Sequence, residues 1–413
     1  MTDRAPGSVT RPLTVAIFGE SYLPYLSGVT VATDSLARGL RAAGHRVLLA
    51  VPRPADGRGP EGSGAAGPNP EMAWLPSYQA PPPAPPGYRM PWPMPSAALA
   101  AVRDARPDVV HAQSPFVSGV MARRVARRVG APLVFTHHTR FGDYRHYLGP
   151  LAAPGGAAVM AYLRAFEAGC AAIVAPAADL ADEVASRLRA RGGRSRTVVR
   201  AIPTGLDLDR LRALPRVDPR PEAGWSPDAV VVVSVGRLAR EKRTDLLVDA
   251  FAIAAAARPD LRLLLVGDGP LRREIEERAS SGALAGRVHL TGRLSRLDAL
   301  ARASGSDLFA FASQTETQGL VLAEALAVGL PVVALDGPGV RGSVRDGVDG
   351  SVISAGPGEA DASLARAIVE VASDTARRAA WSRAAADGAD RFSASVWIER
   401  IVELYRLVAR PAG

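Results

Sequence analysis

The chain has 413 residues, 47% of them hydrophobic, enough to bury the cores of two or three domains. Its net charge of +9 and pI near 10.3 suit an anionic partner: a phosphorylated substrate, an acidic bilayer surface or nucleic acid. Aromatic residues at 5% and no recognisable binding module argue against nucleic acid, and the one cysteine, Cys170, rules out an intrachain disulfide. The N-terminus has no secretory pattern and no apolar run reaches about 18 residues, so a cytoplasmic location is expected.

The chain alternates strand and helix. Apolar runs at LTVAIFG (13–19), RVLLAV (46–51), PDVVHA (107–112), PLVFTH (132–137) and AAIVAP (171–176) form a first series of predicted strands. Within it, PADGRGPEGSGAAGPNP reads as a flexible insertion and APPPAPPGYRMPWPMP as a stiff extended loop. In FVSGVMARRVARRVG, Arg123, Arg124, Arg127 and Arg128 lie opposite Val117, Met121, Val125 and Val129 on a predicted amphipathic helix. Its basic face suits either a solvated crossover helix or one lying on anionic membrane. The periodicity breaks at IPTGLDLDRLRALPRVDPRPEAGWSPD (202–228). A second series follows at VVVVSVG (230–236), LRLLLVG (261–267), RVHLTG (287–292), DLFAFA (307–312) and PVVALD (331–336). Continuous apolar strands alternating with helices predict parallel sheets covered on both faces, hence an α/β chain of two Rossmann-like domains facing each other across a cleft. The domains are expected at 1–206 and 207–385, and 386–413 ends in a helix with Trp397, Ile401, Leu404 and Leu407 roughly on one face.

Lys242 is the one lysine among 50 lysines and arginines, five residues after Arg237 in VVVSVGRLAREKRTDLLVDAF. Strand ends that run into helix N-termini hold anions in open α/β sheets. An arginine fork and a compact lysine charge there suit a diphosphate. In SQTETQGLVLAEALAVGLPVVA (313–334), Glu316 and Glu324 are good acceptors for vicinal hydroxyls, as of a sugar or ribose. Gly319, Leu320 and Val321 would present free N–H groups at a helix start. Two glutamates at this spacing also suit a solvated helix face. The triplet Asp207, Leu208, Asp209 invites a metal, yet it lies where Asp favours turns and caps, and no metal is expected.

These segments resemble the family-4 retaining glycosyltransferases, which have the two-domain GT-B fold, and the likeness covers nearly the whole chain. The glutamate segment is similar to the family's E-x7-E motif, and VSVGRLAREK to its donor-phosphate motif. RVHLTGRLSRLDALARASGSDLFAFAS resembles the block whose backbone near Arg293 and Leu294 would frame the nucleotide base. FGESYLPYLSGVTVATDSLARGL is similar to the first strand–loop–helix, where Gly28 would let bare backbone approach the donor diphosphate. Ser27 stands where many relatives have Gly or Asn. VFTHHTRFGDYRHYL resembles the block that would put His138 beside the donor sugar, with His137 a poorer match and Tyr144 nearer the acceptor.

The resemblance implies transfer of glucose or mannose from a UDP- or GDP-sugar to a hydroxyl, with retention and without cofactor or metal. Arg237, Lys242, Glu316 and His138 would serve the chemistry. Gly28, Arg293, Leu294, Gly319, Leu320, Val321 and Glu324 would hold the donor. The first domain would be the acceptor side, the second the donor side, and the last helix would cross back to the first. AWLPSYQAPPPAPPGYRMPWP and TETQGLV resemble members that glycosylate lipids. A lipid acceptor such as diacylglycerol or a phosphoinositide is therefore expected, with peripheral contact at the inner membrane face through Arg123, Arg124, Arg127 and Arg128. The rivals are a soluble acceptor, a nucleotide-sugar 2-epimerase of the same architecture, and a non-catalytic sensor.

Overall fold

All ten runs form strands, and three further strands join the two sheets at their edges. The computed structural model describes residues 11–25, 27–55, 71–81, 84, 87–140, 152–190 and 196–409, without the side chains of 152–155. Tyr144 and most of the predicted flexible insertion lie outside the described residues. Two compact units result, Met1–Thr204 with Ser395–Gly413, and Gly205–Ala394. Residues 386–394, grouped with the last helix on the sequence pattern, belong to the second unit because Ala389 and Phe392 are buried in its core.

The first unit is built on β1 (Thr14–Phe18), β2 (Arg46–Pro52), β3 (Met72–Leu75), β6 (Val109–Ala112), β7 (Leu133–Thr136), β8 (Ala172–Ala175) and β9 (Val198–Ala201). They form one parallel sheet in the order β3-β2-β1-β6-β7-β8-β9. Between β3 and β6 a small antiparallel hairpin pairs β4 (Ser77–Gln79), just before the expected stiff loop, with β5 (Arg89–Pro91) inside it. Side chains alternate between two cores, as the pleat requires. Val15, Ile17, Val109 and Val134 pack with Leu36 and Leu40 of helix Gly28–Ala42 and with the final helix, Ala394–Val408. Ala16, Phe18, Val110 and Phe135 pack on the other face against Met121 and Val125 of helix Val117–Val129.

The final helix buries Trp397, Ile398, Ile401, Val402, Leu404 and Tyr405, each worth roughly 1.5–3 kcal/mol for a large apolar group. Leu407, expected on this face, is 61% exposed, since the helical period puts Tyr405 there instead. The Tyr405 hydroxyl lies 2.6 Å from His111 Nδ1, and His111 Nε2 lies 2.7 Å from Thr136 Oγ1. Burial pushes the His111 imidazole down to about 3, so it is neutral, with one ring nitrogen donating and the other accepting.

The second unit has β10 (Val230–Val235), β11 (Leu261–Val266), β12 (Val288–Gly292), β13 (Leu308–Phe311), β14 (Val332–Leu335) and β15 (Gly350–Ile353). Its sheet is parallel in the order β12-β11-β10-β13-β14-β15. Helices Thr244–Ala257 and Ala360–Ser373 cover one face, and Arg296–Ser304 and Leu320–Ala327 the other. The two chain crossings run side by side: Leu206 N–H donates to Phe392 O at 2.7 Å, and Ala394 N–H to Leu206 O at 2.9 Å.

The turn after β11 shapes the turn after β10. Leu238 N–H donates to Asp268 O at 3.1 Å and Leu271 N–H to Leu238 O at 3.0 Å. A β-carbon on Gly269 would overlap the carbonyl of Leu238, which is backbone and cannot swing away. Gly269→Ala should therefore destabilise the protein by about 1–3 kcal/mol, seen as a lowered midpoint in urea or thermal unfolding.

Candidate active site

In each sheet the strand order reverses once, between β1 and β6 and between β10 and β13. Crevices at the carboxyl ends of strands flanking such a reversal are where open α/β sheets bind ligands. The residues singled out in the second unit all follow strand ends. Arg237 and Lys242 come after β10, Arg293 and Leu294 after β12, and Glu316, Gly319, Leu320 and Val321 after β13.

Lys242 closes the short turn Arg240–Lys242, after which Arg243 takes φ 52° and helix Thr244–Ala257 begins. This brings the lysine across the reversal, where its Nζ forms a close ion pair with Glu316 Oε1. The same two loops are held by Thr315 Oγ1, which donates to Glu241 O at 3.0 Å, and by Arg243, which donates to Gln314 Oε1. Both members of the Lys242–Glu316 pair keep some solvent access, 35% and 20% for the side chains. Exposed Arg237 lies 3.5 Å from Glu241. No common partner joins Arg237 to Lys242 among the described residues.

Gly319 is the cap of helix Leu320–Ala327 at φ +69°, and an added β-carbon would lie 2.8 Å from Gly339 O. Both facts require glycine. The first-turn N–H groups of Leu320 and Val321 have no carbonyl within the helix to receive them. Ser343 Oγ supports this loop from behind, donating to Gln318 O at 3.0 Å. Glu324, eight residues after Glu316 and one turn into helix Leu320–Ala327, is not drawn to the same partner. It is buried and takes Arg296, whose Nε lies 2.6 Å from Oε1. Burial pushes the Glu324 carboxyl up, and the Arg296 charge and hydrogen bond oppose that. Arg293 is exposed, whereas Leu294 packs partly on the core.

In the first unit, Gly28 opens helix Gly28–Ala42, and a β-carbon there would meet nothing within 4 Å. Protein packing thus gives no reason for this glycine. Ser27 is the helix cap: its Oγ accepts from Thr30 N at 3.2 Å, and its own N–H donates to Thr30 Oγ1 at 2.8 Å. His138, after β7, has Nε2 at 2.8 Å from Gln113 Oε1. With that oxygen accepting, Nε2 carries the proton and Nδ1 is left as an acceptor. Burial, helped by His137, pushes His138 down to about 4, so the ring is neutral at pH 7. His137 is structural. It lies 3.1 Å from buried Glu167, which Arg187 also reaches at 3.0 Å.

Glu20, which the sequence pattern did not single out, is buried beside β1 and accepts from Val117 N at 3.2 Å and Ser118 N at 2.8 Å. It therefore fills the anion site at the start of helix Val117–Val129. On that helix Arg124, Arg127 and Arg128 are exposed, but Arg123 is not fully solvated. A β-carbon on Gly169 would lie 2.6 Å from its guanidinium. Asp207 caps helix Leu208–Arg212, accepting from Arg210 N at 3.2 Å, while Leu208 enters the core. No helix among the described residues is long and apolar enough to cross a membrane.

Comparison with known proteins matches this geometry to a family. A profile described as "Glycosyltransferase Family 4" matches residues 26–210, and one described as "Glycosyl transferases group 1" matches residues 218–387. A GDP-mannose-dependent alpha-mannosyltransferase of Mycolicibacterium smegmatis is 30% identical over 335 residues, spanning 79% of this chain and 80% of the relative. The alpha-monoglucosyldiacylglycerol synthase of Acholeplasma laidlawii is 28% identical over 351 residues, 81% of this chain and 83% of that one. The fold is that of Anabaena Alr3699/HepE solved with UDP-glucose, with a TM-score of 0.68, 19% identity, and coverage of 95% and 99%. The chain belongs to the family-4 glycosyltransferases, and is an enzyme of that class.

The Glu20 cap is testable by itself. Glu20→Ala leaves the buried Ser118 N–H and the half-buried Val117 N–H without their acceptor and should lower stability by about 1–2 kcal/mol in chemical unfolding.

Proposed function

We propose that this enzyme moves glucose or mannose from a UDP- or GDP-sugar to a hydroxyl of a lipid acceptor, retaining the anomeric configuration and using no metal. The observation that carries the donor side is the Lys242–Glu316 pair, formed across the strand reversal beside the open N-terminus of helix Leu320–Ala327. A diphosphate arriving there offers Lys242 a more highly charged partner than one carboxylate. The exchange would release Glu316 to accept hydrogen bonds from the sugar. Arg237 and the N–H groups of Gly319, Leu320 and Val321 add to the positive field.

The bond from the anomeric carbon to the diphosphate oxygen breaks as the ring becomes oxocarbenium-like. The acceptor oxygen bonds to that carbon from the same face, and its proton passes to the departing phosphate oxygen. Lys242, Arg237 and the helix N–H groups are fixed donors where negative charge develops, which is the most effective electrostatic arrangement. No covalent sugar–enzyme adduct is needed. Neutral His138 suits a hydrogen bond to a sugar hydroxyl, Glu324 suits the ribose, and backbone near Arg293 and Leu294 would frame the base.

Two observations support a lipid acceptor at the inner face of an anionic membrane, diacylglycerol or a phosphoinositide. One relative is named for a glucosyldiacylglycerol product. The helix Val117–Val129 also exposes Arg124, Arg127 and Arg128, and Trp92 and Met94 are exposed after β5.

Lys242→Met should lower turnover about a hundredfold with the nucleotide sugar that best raises the melting temperature, while chelators leave the wild type active. Near-normal turnover in the variant, or loss with chelator, overturns the donor reading. The protein should sediment with anionic vesicles at low salt, and the triple variant Arg124→Gln, Arg127→Gln, Arg128→Gln should not. Failure of the wild type to sediment would favour a soluble acceptor.

A further inference from the structure

Arg296 is the first residue of helix Arg296–Ser304, where the macrodipole disfavours a cation. Its reason for being there lies outside its own helix. Two of its guanidinium nitrogens engage Glu324 Oε1, one at 2.6 Å, and a buried carboxylate without such a partner is costly. Among the described residues no hydrogen bond is made to Glu324 Oε2. Of the charged groups on the other elements packed against helix Leu320–Ala327, none hydrogen-bonds Glu324. Asp209, Arg210, Arg383 and Asp387 have no ion pair among the described residues, Arg378 donates to the Val371 and Ala372 carbonyls, and the others pair elsewhere. Arg212 pairs with Asp390, Arg377 with Glu370 and Asp374, and Arg391 with Asp349. On the helix of Arg296 itself, Arg302 pairs with Glu222, and Asp298 takes the Ser295 hydroxyl at 2.6 Å.

We propose that Arg296 is a positioning residue for donor binding: it fixes Glu324 in its ionised form and leaves Oε2 to accept from a vicinal diol. This rests on the reading of Glu324 as the ribose-binding carboxylate. An ionised carboxylate only accepts, whereas a protonated one turns one oxygen into a donor and loses half of its match to two hydroxyls. Removing Arg296 withdraws what opposes the effect of burial, so the carboxyl rises further and protonates at a higher pH.

The signs for binding and for folding are opposite, and this separates positioning from structure. A carboxyl raised in the folded state costs stability as pH rises through its folded value, because the unfolded chain then binds fewer protons. Donor binding that needs the ionised form weakens as pH falls.

The test is steady-state kinetics of the full chain between about pH 6 and pH 9, with the donor varied and the acceptor saturating. In Arg296→Gln the donor KM should exceed the wild-type value by about tenfold at the acid end and converge on it at the alkaline end, with kcat little changed. Arg296→Lys should restore most of the difference, and urea unfolding should show the Gln variant losing stability at alkaline pH. A KM unchanged, or raised equally at every pH, overturns the proposal. Glu324→Ala distinguishes the two readings. If it leaves donor KM at the wild-type value, the ribose reading fails; if it raises KM while Arg296→Gln does not, only the role of Arg296 fails.

Discussion

The second unit turns on one electrostatic constraint, that unlike charges placed where a parallel sheet reverses must satisfy each other until something better arrives. Lys242 leaves β10 and Glu316 leaves β13, two strands that are neighbours in the sheet although far apart in the chain. Their pairing neutralises both groups and ties the two loops together. Glu324 repeats the arrangement more deeply, with Arg296 as its cation. The glycines around these loops have a common purpose. Gly269 and Gly319 let backbone approach the carbonyls of Leu238 and Gly339, which a β-carbon would prevent.

The first unit uses its electrostatics differently. Glu20 occupies the start of helix Val117–Val129, so that helix has no vacant anion site. His111 and His138 are kept neutral by burial. His111 has both ring nitrogens taken by Tyr405 and Thr136 and serves the core, whereas His138, held by Gln113, keeps Nδ1 as an acceptor after β7.

Much of this was legible in the chain. Central strands are buried on both faces and read as unbroken apolar runs, so all ten predicted strands form. The three missed in the sheets, β3, β9 and β15, include half-exposed edge positions and carry weaker patterns. The hairpin of β4 and β5 was hidden by its prolines. Lys242, Glu316 and the Gly319 helix start were visible as motifs, and their placement at strand ends followed from the fold. Arg296 and Glu20 were not visible. Each acts through a partner dozens of residues away, and a spacing pattern carries no record of such pairs. Leu407 shows the opposite failure: a hydrophobic residue with suitable spacing that the helical period turns to solvent.

The first unit is completed only after the second has been made, since residues 1–204 lack one of the two helices that cover one face of their sheet until Ser395–Gly413 is synthesised. On the ribosome, the earlier-synthesised portion must wait with the face of Val15, Ile17 and Val109 covered only in part, by helix Gly28–Ala42, while the later portion emerges. Translation order and completion order are thus inverted. A nascent chain stalled before Trp397 would present an apolar sheet surface to chaperones, even with its central portion fully translated.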